Sequence, residues 1–496
     1  MKKTILIFLV LFSFSIAAFL NAQWTKATEY YVAVSGNDSN PGSLSKPWRT
    51  IQHAANSVVP GDTVFIHHGT YKEEVILKFS GTADAPITFS GAPDETATVE
   101  GLEFAAGTAH MNIFNLKIEG RSIWRVWLPG NNHHITLKGL TIIGGEAGVR
   151  ITWGDSGQPP IDGPVSDIIL EDSLIQGQVY TAVDCTPGPG NRITIRNLEI
   201  SGPETEGEPS FGADGIAVER GNNILVEDCY IHDVQGDGID LNSRDTQGHV
   251  SGIEVKRNIV ARTHRSGIKL WAGGRIENNV VWGTGIAPIV IGIFSSSYEL
   301  VNNTIAFNMW DPNYSGRDYS LVAAYPSDGI SPEIDLLLSN NIFAFNTGPQ
   351  VGTPTGIYLG EGVRLMTESN NVFWSREDCE ITADFVHGDP DFSRSEIEGG
   401  TWAAASGHGM GDITFDPVIM NGWPDVNLHL DEDSPAIDTG TSESAPLVDC
   451  ECMMRPAGAG HDIGAFEYGS VLDQECTGNE IENPKPKRTK KGKIVR

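Results

Sequence analysis

Three aspartates and one lysine recur at matching positions in a repetitive part of the sequence. Asp214 and Asp237 each precede a Gly-Ile pair and are 23 residues apart, and Asp240 follows three residues after Asp237. In the next repeat, Lys269 occupies the place of Asp240. Carboxylates packed in a small area repel one another, so either their pKa values rise or a cation lies among them. Calcium prefers such oxygen ligands. We therefore predict that Asp214, Asp237 and Asp240 bind Ca²⁺.

Short repeated strands must position these residues. A unit of alternating apolar residues returns at intervals of roughly 21 to 38 residues, which fits one coil of a parallel β-helix. Alternation over such short runs indicates strands. The units are ITLKGLTI (135–142), IILEDSLI (168–175), ITIRNLEI (193–200), ILVEDCYI (224–231), IEVKRNIV (253–260), RIENNVV (275–281), ELVNNTI (299–305), LLLSNNI (336–342) and MTESNNV (366–372).

A second strand follows five of these units, in the form of a small residue, an apolar residue, a variable residue and another apolar residue. Because strand side chains alternate, the apolar pair points inward and the variable residue outward. The outward column consists of Arg150, Asp184, Ala217, Asp240 and Lys269. Neighbouring coils place such residues about 4.8 Å apart. Gly238 can supply the bend that turns Asp237 to the same side as Asp240. We expect the column to line a groove for an extended ligand.

Asparagine pairs occur at equivalent places in four repeats, at 278–279, 302–303, 340–341 and 370–371. If they stack at one corner of the coil, their side-chain amides can bond along the axis, as asparagine ladders do in stacked β-structure. We assign them a structural role.

The ends of a solenoid need covers, because an open coil exposes strand edges and core. The segment TIQHAANSV (50–58) has helical spacing and predicts an N-terminal cap, whereas SPAIDTG (434–440) and GHDIGAFEYG (460–469) predict a closing segment. The predicted organisation is a signal segment at 1–22, an N-terminal strand and capping helix at 23–75, a β-helix catalytic domain at 76–425, a C-terminal closing coil at 426–470 and a basic disordered tail at 471–496.

Composition and the N-terminus bear on the compartment and the partners. The start MKK, the apolar run behind it and Ala22 are typical of a secretory signal. We expect a secreted protein, extracellular or periplasmic, and a monomer. A net charge of −30 argues against nucleic acid and membrane surfaces as partners. Cys185 and Cys229 are expected to be buried thiols, while Cys450, Cys452 and Cys476 permit one disulfide of undetermined pairing.

The region around Lys269 is locally basic. From Arg244 to Arg275 the chain carries seven basic residues against two acidic ones, although its net charge is −30. A basic strip beside a carboxylate cluster indicates an acidic ligand, held partly by arginine and partly by calcium. We predict Arg265, Arg262 and Arg244 as the arginines that bind this ligand.

Three short motifs resemble the active-site strands of family 9 polysaccharide lyases. They are ADG (213–215), GDGIDL (236–241) and SGIKL (266–270). Members of that family are secreted, calcium-dependent pectate lyases on a right-handed parallel β-helix. The resemblance therefore implies an all-β fold of that kind, here with an N-terminal helical cap and a C-terminal closing segment. It also implies a substrate that is an acidic polysaccharide, most directly polygalacturonate.

The resemblance also implies roles for single residues. The family's aspartate in its first motif falls on Asp214, and two further aspartates fall on Asp237 and Asp240. Its lysine, the Brønsted base, falls on Lys269. The family has a pair of adjacent aspartates in its second motif, and this chain has Gly236 in place of the first. One calcium ligand of the family is therefore missing or replaced.

The residue types suit β-elimination on a uronic acid. The proton at C5 becomes acidic enough only when the neighbouring carboxylate is neutralised by cations. Two alternatives remain open. A glycoside hydrolase or a uronate epimerase would use the aspartates as acid and base, and a β-helix without catalysis would only bind glycans. The ultraviolet-absorbing unsaturated product of a lyase distinguishes these possibilities.

Overall fold

The computed structural model describes most of the chain. The described residues are 27–152, 163–202, 213–241, 250–271, 273–292, 294, 296–306, 319–323, 333–345, 355–360, 362–375, 380–383, 391–421, 426–473 and 476. The predicted signal segment, Arg244 and nearly all of the predicted tail lie outside them. Within the described part, no helix has both the length and the apolar character that crossing a membrane requires.

The strands of each coil stack on those of the next as parallel ladders on three faces, as predicted for a parallel β-helix. The first face contains β1 (Glu29–Val32), β2 (Thr63–Ile66), β4 (Ile87–Gly91), β6 (Ala109–Phe114), β9 (His133–Lys138), β17 (Val250–Lys256), β20 (Gly274–Glu277), β23 (Ser296–Val301), β26 (Ile334–Ser339) and β29 (Val363–Ser369). The second face contains β7 (Lys117–Glu119), β10 (Thr141–Ile143), β15 (Tyr230–His232), β18 (Ile259–Ala261), β21 (Val280–Trp282), β24 (Thr304–Ala306), β27 (Ile342–Phe345) and β30 (Val372–Ser375).

The third face carries the outward column predicted from the sequence. It contains β8 (Trp124–Leu128), β11 (Ala147–Ile151), β16 (Ile239–Leu241), β19 (Ile268–Leu270), β22 (Ile289–Ile291), β25 (Tyr319–Ala323), β28 (Thr355–Leu359) and β31 (Glu380–Ala383). Five longer strands turn a corner and pair on more than one face. They are β3 (Gly69–Leu77), β5 (Ala97–Phe104), β12 (Val165–Gln176), β13 (Val183–Ser201) and β14 (Ile216–Glu227).

Stacked aliphatic side chains fill the interior. On the third face Val149, Val183, Ile216, Ile239 and Ile268 are in register on successive coils, and each is 0% exposed. Burying one such side chain contributes about 1.5–3 kcal/mol relative to leaving it exposed. Because side chains alternate along a strand, the residues next to this inward column in each strand point outward.

The second asparagine of each pair forms the predicted ladder inside the coil. Asn279 Nδ2 donates to Asn303 Oδ1 at 3.1 Å, and Asn303 Nδ2 donates to Asn341 Oδ1 at 2.9 Å. The next bond runs from Asn341 Nδ2 to Asn371 Oδ1 at 3.0 Å. Asp412 ends the ladder, since its Oδ1 accepts from the backbone N–H of Asn371 at 2.9 Å. The prediction of a structural amide ladder is confirmed.

The first asparagine of each pair has a different role. Asn278, Asn302, Asn340 and Asn370 have φ between 52° and 56°, in the left-handed region that asparagine tolerates. Their side-chain amides donate to backbone carbonyl groups of the 439–462 stretch at 2.7–3.0 Å. One pair thus serves two purposes: one amide bonds within the coil and the other holds the C-terminal segment.

The first coil is capped by the predicted helix, α1 (Ile51–Ala55). The hydroxyl of Thr50 accepts from the backbone N–H of His53 at 3.2 Å, which satisfies one free donor at the helix start. Ile51, Ala54 and Ala55 are buried and continue the core beyond the first strands.

The far end is covered by a segment that the sequence prediction did not single out. After β32 (Asp391–Ser393) come α2 (Arg394–Glu398) and α3 (Thr401–Ser406). Phe392, Ile397 and Trp402 belong to the main core. The 426–470 segment, predicted to close the end, instead packs along the second face, where it contributes to a separate apolar cluster with Trp282. A two-stranded antiparallel sheet of β33 (Ile419–Asn421) and β34 (Asn427–Leu430) begins that arrangement.

The cysteines agree with the expectation of one bridge. Cys452 and Cys476 form a disulfide, which ties residue 476 to the segment on the second face. Cys185 and Cys229 are buried free thiols, as predicted, and Cys450 is also buried and free.

Candidate functional site

The third face brings the outward column into register as predicted. Arg150 pairs with Asp184, Asp184 with Ala217, Ala217 with Asp240, and Asp240 with Lys269. The aspartate and the lysine that share a place in their repeats are therefore direct neighbours on adjacent coils.

Lys269 lies between two carboxylates. Its Nζ is 2.6 Å from Asp237 Oδ2 and 2.6 Å from Asp240 Oδ2. The side chains of the three residues are only 12%, 1% and 8% exposed. The structure thus brings together three of the four residues that sequence analysis placed at the centre of the chemistry.

Asp214 completes the cluster from the preceding coil. Its Oδ1 accepts from the backbone N–H of Asp237 at 2.7 Å. Asp237 in turn uses its Oδ1 to accept from the backbone N–H of Ser266 at 2.8 Å. Each of these two carboxylates is therefore fixed by a backbone donor of the next coil, with its second oxygen left for other partners.

Asp237 and Asp240 face the same side because Asp237 lies in the turn before β16, where the alternation of a strand does not apply. Gly238 is needed there for space. A Cβ on Gly238 would lie 2.4 Å from Val260 Cγ1 and 2.7 Å from the carbonyl oxygen of Gly267. Close packing against the next coil, rather than a left-handed backbone, explains the glycine.

Charge interactions shift the pKa values within this cluster. Burial, followed by the repulsion of Asp237 and Asp240, raises the pKa of Asp214 well above its ordinary 3.8. Burial alone would lower the pKa of Lys269, but the attraction of Asp240 and Asp237 outweighs it, so this pKa is raised above 10.5. Lys269 is therefore an ammonium ion near neutral pH, in direct contact with two of the three carboxyl groups.

The donors present fit a hard cation in type, because carboxylate oxygens are the ligands that calcium prefers. The structure also explains why a fourth carboxylate is missing. A Cβ on Gly236 would lie 2.2 Å from Asp214 Oδ1, and 2.7 Å and 2.8 Å from the backbone carbon and oxygen of Ala213. The backbone leaves no space for a side chain at the position where family 9 lyases have an aspartate. Asp214, Asp237 and Asp240 remain as candidate ligands, but no choice of one oxygen from each brings all three within 4.8 Å of one another.

The three predicted arginines have different surroundings. Arg265 lies beside the cluster, and its backbone N–H donates to the carbonyl oxygen of Gly236 at 3.2 Å. Arg262 is directed elsewhere: it forms hydrogen bonds of 2.7 Å and 2.6 Å with Asp233 and stacks 5.1 Å from the ring of Trp282. Arg244 lies outside the described residues. The predicted substrate role of Arg262 does not agree with its position by the second face.

A cleft of about 390 Å³ leads along the third face to the cluster. Its lining includes Trp124, Arg150, Tyr180, Asp184 and Glu219, together with Asp214 and Asp240. The guanidinium group of Arg150 lies 4.6 Å from the Trp124 ring and 2.7 Å from Asp184 Oδ2. Sequence analysis placed Arg150 and Asp184 in the outward column expected to line a groove, and both line the cleft. It overlooked Trp124, Tyr180 and Glu219.

The outward column itself indicates where the overlooked aromatic residues lie. Trp127 is the residue in register before Arg150, and its ring lies 4.8 Å from that of Trp124. Following the column back one more coil, through WRVWL (124–128), would have predicted an aromatic surface beside the acidic cluster.

Two family models match overlapping parts of the chain. The model described as "Pel9A-like, right handed beta helix region" matches residues 30–158, and the model described as "Right handed beta helix region" matches residues 126–305. The right-handed sense of the β-helix is thereby confirmed.

Two curated relatives were also found. One is the uncharacterized protein YwoF of Bacillus subtilis, 24% identical over an alignment of 357 residues that covers 58% of this chain and 76% of that protein. The other is the pectate lyase PEL9 of Emericella nidulans, 27% identical over 290 residues, which are 58% of this chain and 62% of the lyase. The chain thus matches less than two thirds of the length of the fungal enzyme.

Solved structures give more distant matches. A complex of XylC with xylose has a TM-score of 0.47 at 12% identity and covers 90% of this chain and 99% of its own. The pectate lyase Pel9A has a TM-score of 0.43 at 15% identity and covers 89% of this chain and 96% of its own. We draw no inference about activity from either.

Proposed function

We propose that this protein is a secreted polysaccharide lyase that cleaves a uronic-acid-containing polymer by calcium-assisted β-elimination, with polygalacturonate as the preferred substrate. One observation carries the proposal: a single lysine amine lies 2.6 Å from two buried carboxylates on the outward face of a β-helix. The similarity to a fungal pectate lyase supports it.

In this proposal Lys269 is the base. Its Nζ takes the C5 proton, the C–H electron pair forms a double bond between C4 and C5, and the C4–O bond breaks with its electrons on the departing oxygen. Calcium held by Asp214, Asp237 and Asp240 would supply the positive charge that acidifies the C5 proton and offsets the carboxylates around the amine.

The other residues have binding roles. Trp124, Tyr180 and Arg150 line the cleft, where the rings would pack against sugar units and the guanidinium group would bind a uronate carboxylate. Arg265, whose backbone lies beside the cluster, is a second candidate for binding this carboxylate. Because an ammonium ion cannot accept the proton, activity is expected to rise toward alkaline pH as Lys269 loses its charge.

The experiment that tests the proposal is an ultraviolet assay for the unsaturated product on a panel of uronate polymers, with calcium or with a chelator. Lys269→Arg keeps the positive charge beside the carboxylates but removes the base. We expect it to fold normally and to lose about 100- to 10,000-fold in kcat. Lys256→Ala is the matched control, because Lys256 pairs with Glu254 on the first face, and it should retain full activity.

Two results would overturn the proposal. If folded wild-type protein gives no absorbance on any uronate polymer, it is not a lyase. If Lys269→Arg stays fully active, the base has been assigned wrongly. Activity that persists after complete removal of calcium would refute the cation requirement alone.

A hydrolase is the second candidate, favoured by the raised pKa of Asp214. Burial keeps a proton on this carboxyl group at a pH where an exposed aspartate has lost it, as a general acid requires. New reducing ends without ultraviolet absorbance would support this candidate over the lyase.

A further inference from the structure

A group of three histidines lies on the first face, away from the acidic cluster. His110 is in β6, while His133 and His134 begin β9 on the next coil. One ligand atom from each side chain can be chosen such that all three lie within 4.8 Å of one another. Sequence analysis did not single out these residues, and the proposed lyase reaction does not use them.

The β-helix itself creates this group. Ala109 pairs with His133, and His133 pairs with Ser166, so His110, His134 and Asp167 occupy equivalent positions on three successive coils. The ring centroids of His110 and His134 are 4.6 Å apart, close to the spacing of adjacent strands.

The left-handed backbone at these positions is a feature of the corner in successive coils. His110, His134 and Asp167 have φ of 53°, 54° and 55°. Arg192 and Gly252 lie further along the same register with φ of 54° and 64°. The corner therefore accepts several residue types, histidine among them, and the case for a metal site rests on the imidazole groups that it brings together.

The contact between two of the rings is of the kind that a metal ion can replace. Nδ1 of His133 and Nδ1 of His134 are 2.8 Å apart, so a proton must lie between them, given by one ring and accepted by the other. In a tetrahedral zinc site, nitrogens at about 2.0–2.1 Å from the metal are about 3.3 Å apart. The ligand atoms of the three rings lie within 4.8 Å of one another, so the rings would have to move closer together around the ion to reach that spacing.

An acidic residue stands behind the rings. Asp167 Oδ2 is 3.8 Å from His134 Nδ1. Arg192 fixes this carboxylate with hydrogen bonds of 2.5 Å and 2.7 Å, and the hydroxyl of Ser166 donates to it at 2.8 Å. This oxygen faces the same ring nitrogen that contacts His133, and Arg192 already pairs with the carboxylate. Asp167 is therefore a neighbour of the histidine group and not one of its members.

We propose that His110, His133 and His134 bind a first-row transition-metal ion of the zinc type. Imidazole nitrogens suit zinc, nickel and copper, whereas calcium takes oxygen ligands. The site is therefore chemically distinct from the carboxylate cluster and does not depend on the proposed lyase activity. The ion would link two adjacent coils through His110 on one and His133 and His134 on the other.

The test is a Zn²⁺ titration of the full chain, prepared without a histidine tag and freed of metal, in buffer with excess calcium to occupy the carboxylate cluster. We expect one Zn²⁺ per chain and a higher melting temperature in its presence. Co²⁺ in place of Zn²⁺ should give the visible absorption of a nitrogen-coordinated tetrahedral ion.

Variants locate the ion. His133→Ala should weaken Zn²⁺ binding by more than about 100-fold, because it removes one of the three ligands. The double variant His110→Asn with His134→Asn keeps residues that tolerate the left-handed corner, so it tests the ligands even if His133→Ala fails to fold.

His68→Ala removes an exposed histidine outside the group and should bind Zn²⁺ like the wild type. Failure of the wild type to retain Zn²⁺, or equal Zn²⁺ affinity in the wild type and the double variant, would overturn the proposal. Neither result bears on the lyase proposal, because that proposal is tested by the ultraviolet assay for a product formed at a different site.

Discussion

Substitutions of Gly236 test whether this chain could ever hold the fourth carboxylate of family 9 lyases. The structure predicts that Gly236→Asp damages the site instead of restoring it. The added Cβ would lie 2.2 Å from Asp214 Oδ1 and 2.7 Å from the backbone carbon of Ala213. The side chain of Asp214 can rotate, but the backbone of Ala213 is held, because its carbonyl oxygen accepts from the N–H of Gly236 at 2.8 Å.

Two costs add up. Forcing a side chain into a filled space costs about 1–3 kcal/mol. Rotating Asp214 away breaks its hydrogen bond from the backbone N–H of Asp237, a buried bond to a charged group that contributes about 1.5–3 kcal/mol. We therefore expect Gly236→Ala and Gly236→Asp to lower the free energy of unfolding by about 3–6 kcal/mol. Lyase activity should fall as well, since Asp214 is displaced.

Urea unfolding and the ultraviolet product assay measure the two effects. Gly399→Ala is the control: φ at Gly399 is −75° and a Cβ there meets its nearest atom at 3.0 Å. Its free energy of unfolding should change by less than about 1 kcal/mol. If Gly236→Asp is as stable as the wild type and binds calcium more tightly, the backbone does make room for a carboxylate and the steric reasoning is refuted.

Three further predictions concern the amide ladder, the acidic pair that ends it and the cleft. Asn341→Leu removes the side-chain partners of the buried N–H of Asn303 and of a backbone carbonyl. Urea unfolding should therefore show a free energy of unfolding lower by about 2–6 kcal/mol. An unchanged free energy of unfolding would show that the ladder does not stabilise the fold. Burial, and then repulsion from Glu368, raises the pKa of Asp412 above 3.8, so the contribution of Asp412 to stability is greatest below pH 3.8 and is lost as pH rises through its folded-state pKa. Asp412→Asn should reduce the dependence of the free energy of unfolding on pH. An unchanged dependence would contradict the raised pKa of Asp412. Trp124→Ala should raise KM for long substrates about tenfold with kcat unchanged, whereas a loss confined to kcat would exclude a binding role.

Much of the fold could be predicted because its repeats are visible in the sequence. Period-two alternation placed Asp240 and Lys269 in one outward column, and their pairing follows directly from stacking one coil on the next. The same stacking predicted the asparagine ladder. Local spacing sufficed in these cases, since each coil contacts only its neighbours.

Other features depend on contacts that spacing does not encode. Arg262 is close to Lys269 in sequence, yet it lies by the second face and pairs with Asp233. One asparagine of each pair bonds inside the coil, and the other bonds to the 439–462 stretch. That stretch is more than 60 residues away in the sequence, as the bond between Asn370 and Thr439 shows. Trp402 and its neighbours cover the last coil, and no sequence repeat predicts this segment.

The balance of charge in the cleft bears on the choice between an acidic and a neutral glycan. The acidic side chains that line the cleft or contact Lys269 are Glu146, Asp184, Asp214, Glu219, Asp237 and Asp240, and the basic ones are Arg150 and Lys269. A polymer of uronic acids would add more negative charge to a surface that is already acidic, and like charges in a poorly solvated cleft repel strongly. Acidic oligosaccharides should therefore bind only when calcium is present, whereas a neutral oligosaccharide would bind equally well without it. Calorimetric titration with both kinds of ligand, with and without chelator, separates the two cases before any catalysis is measured.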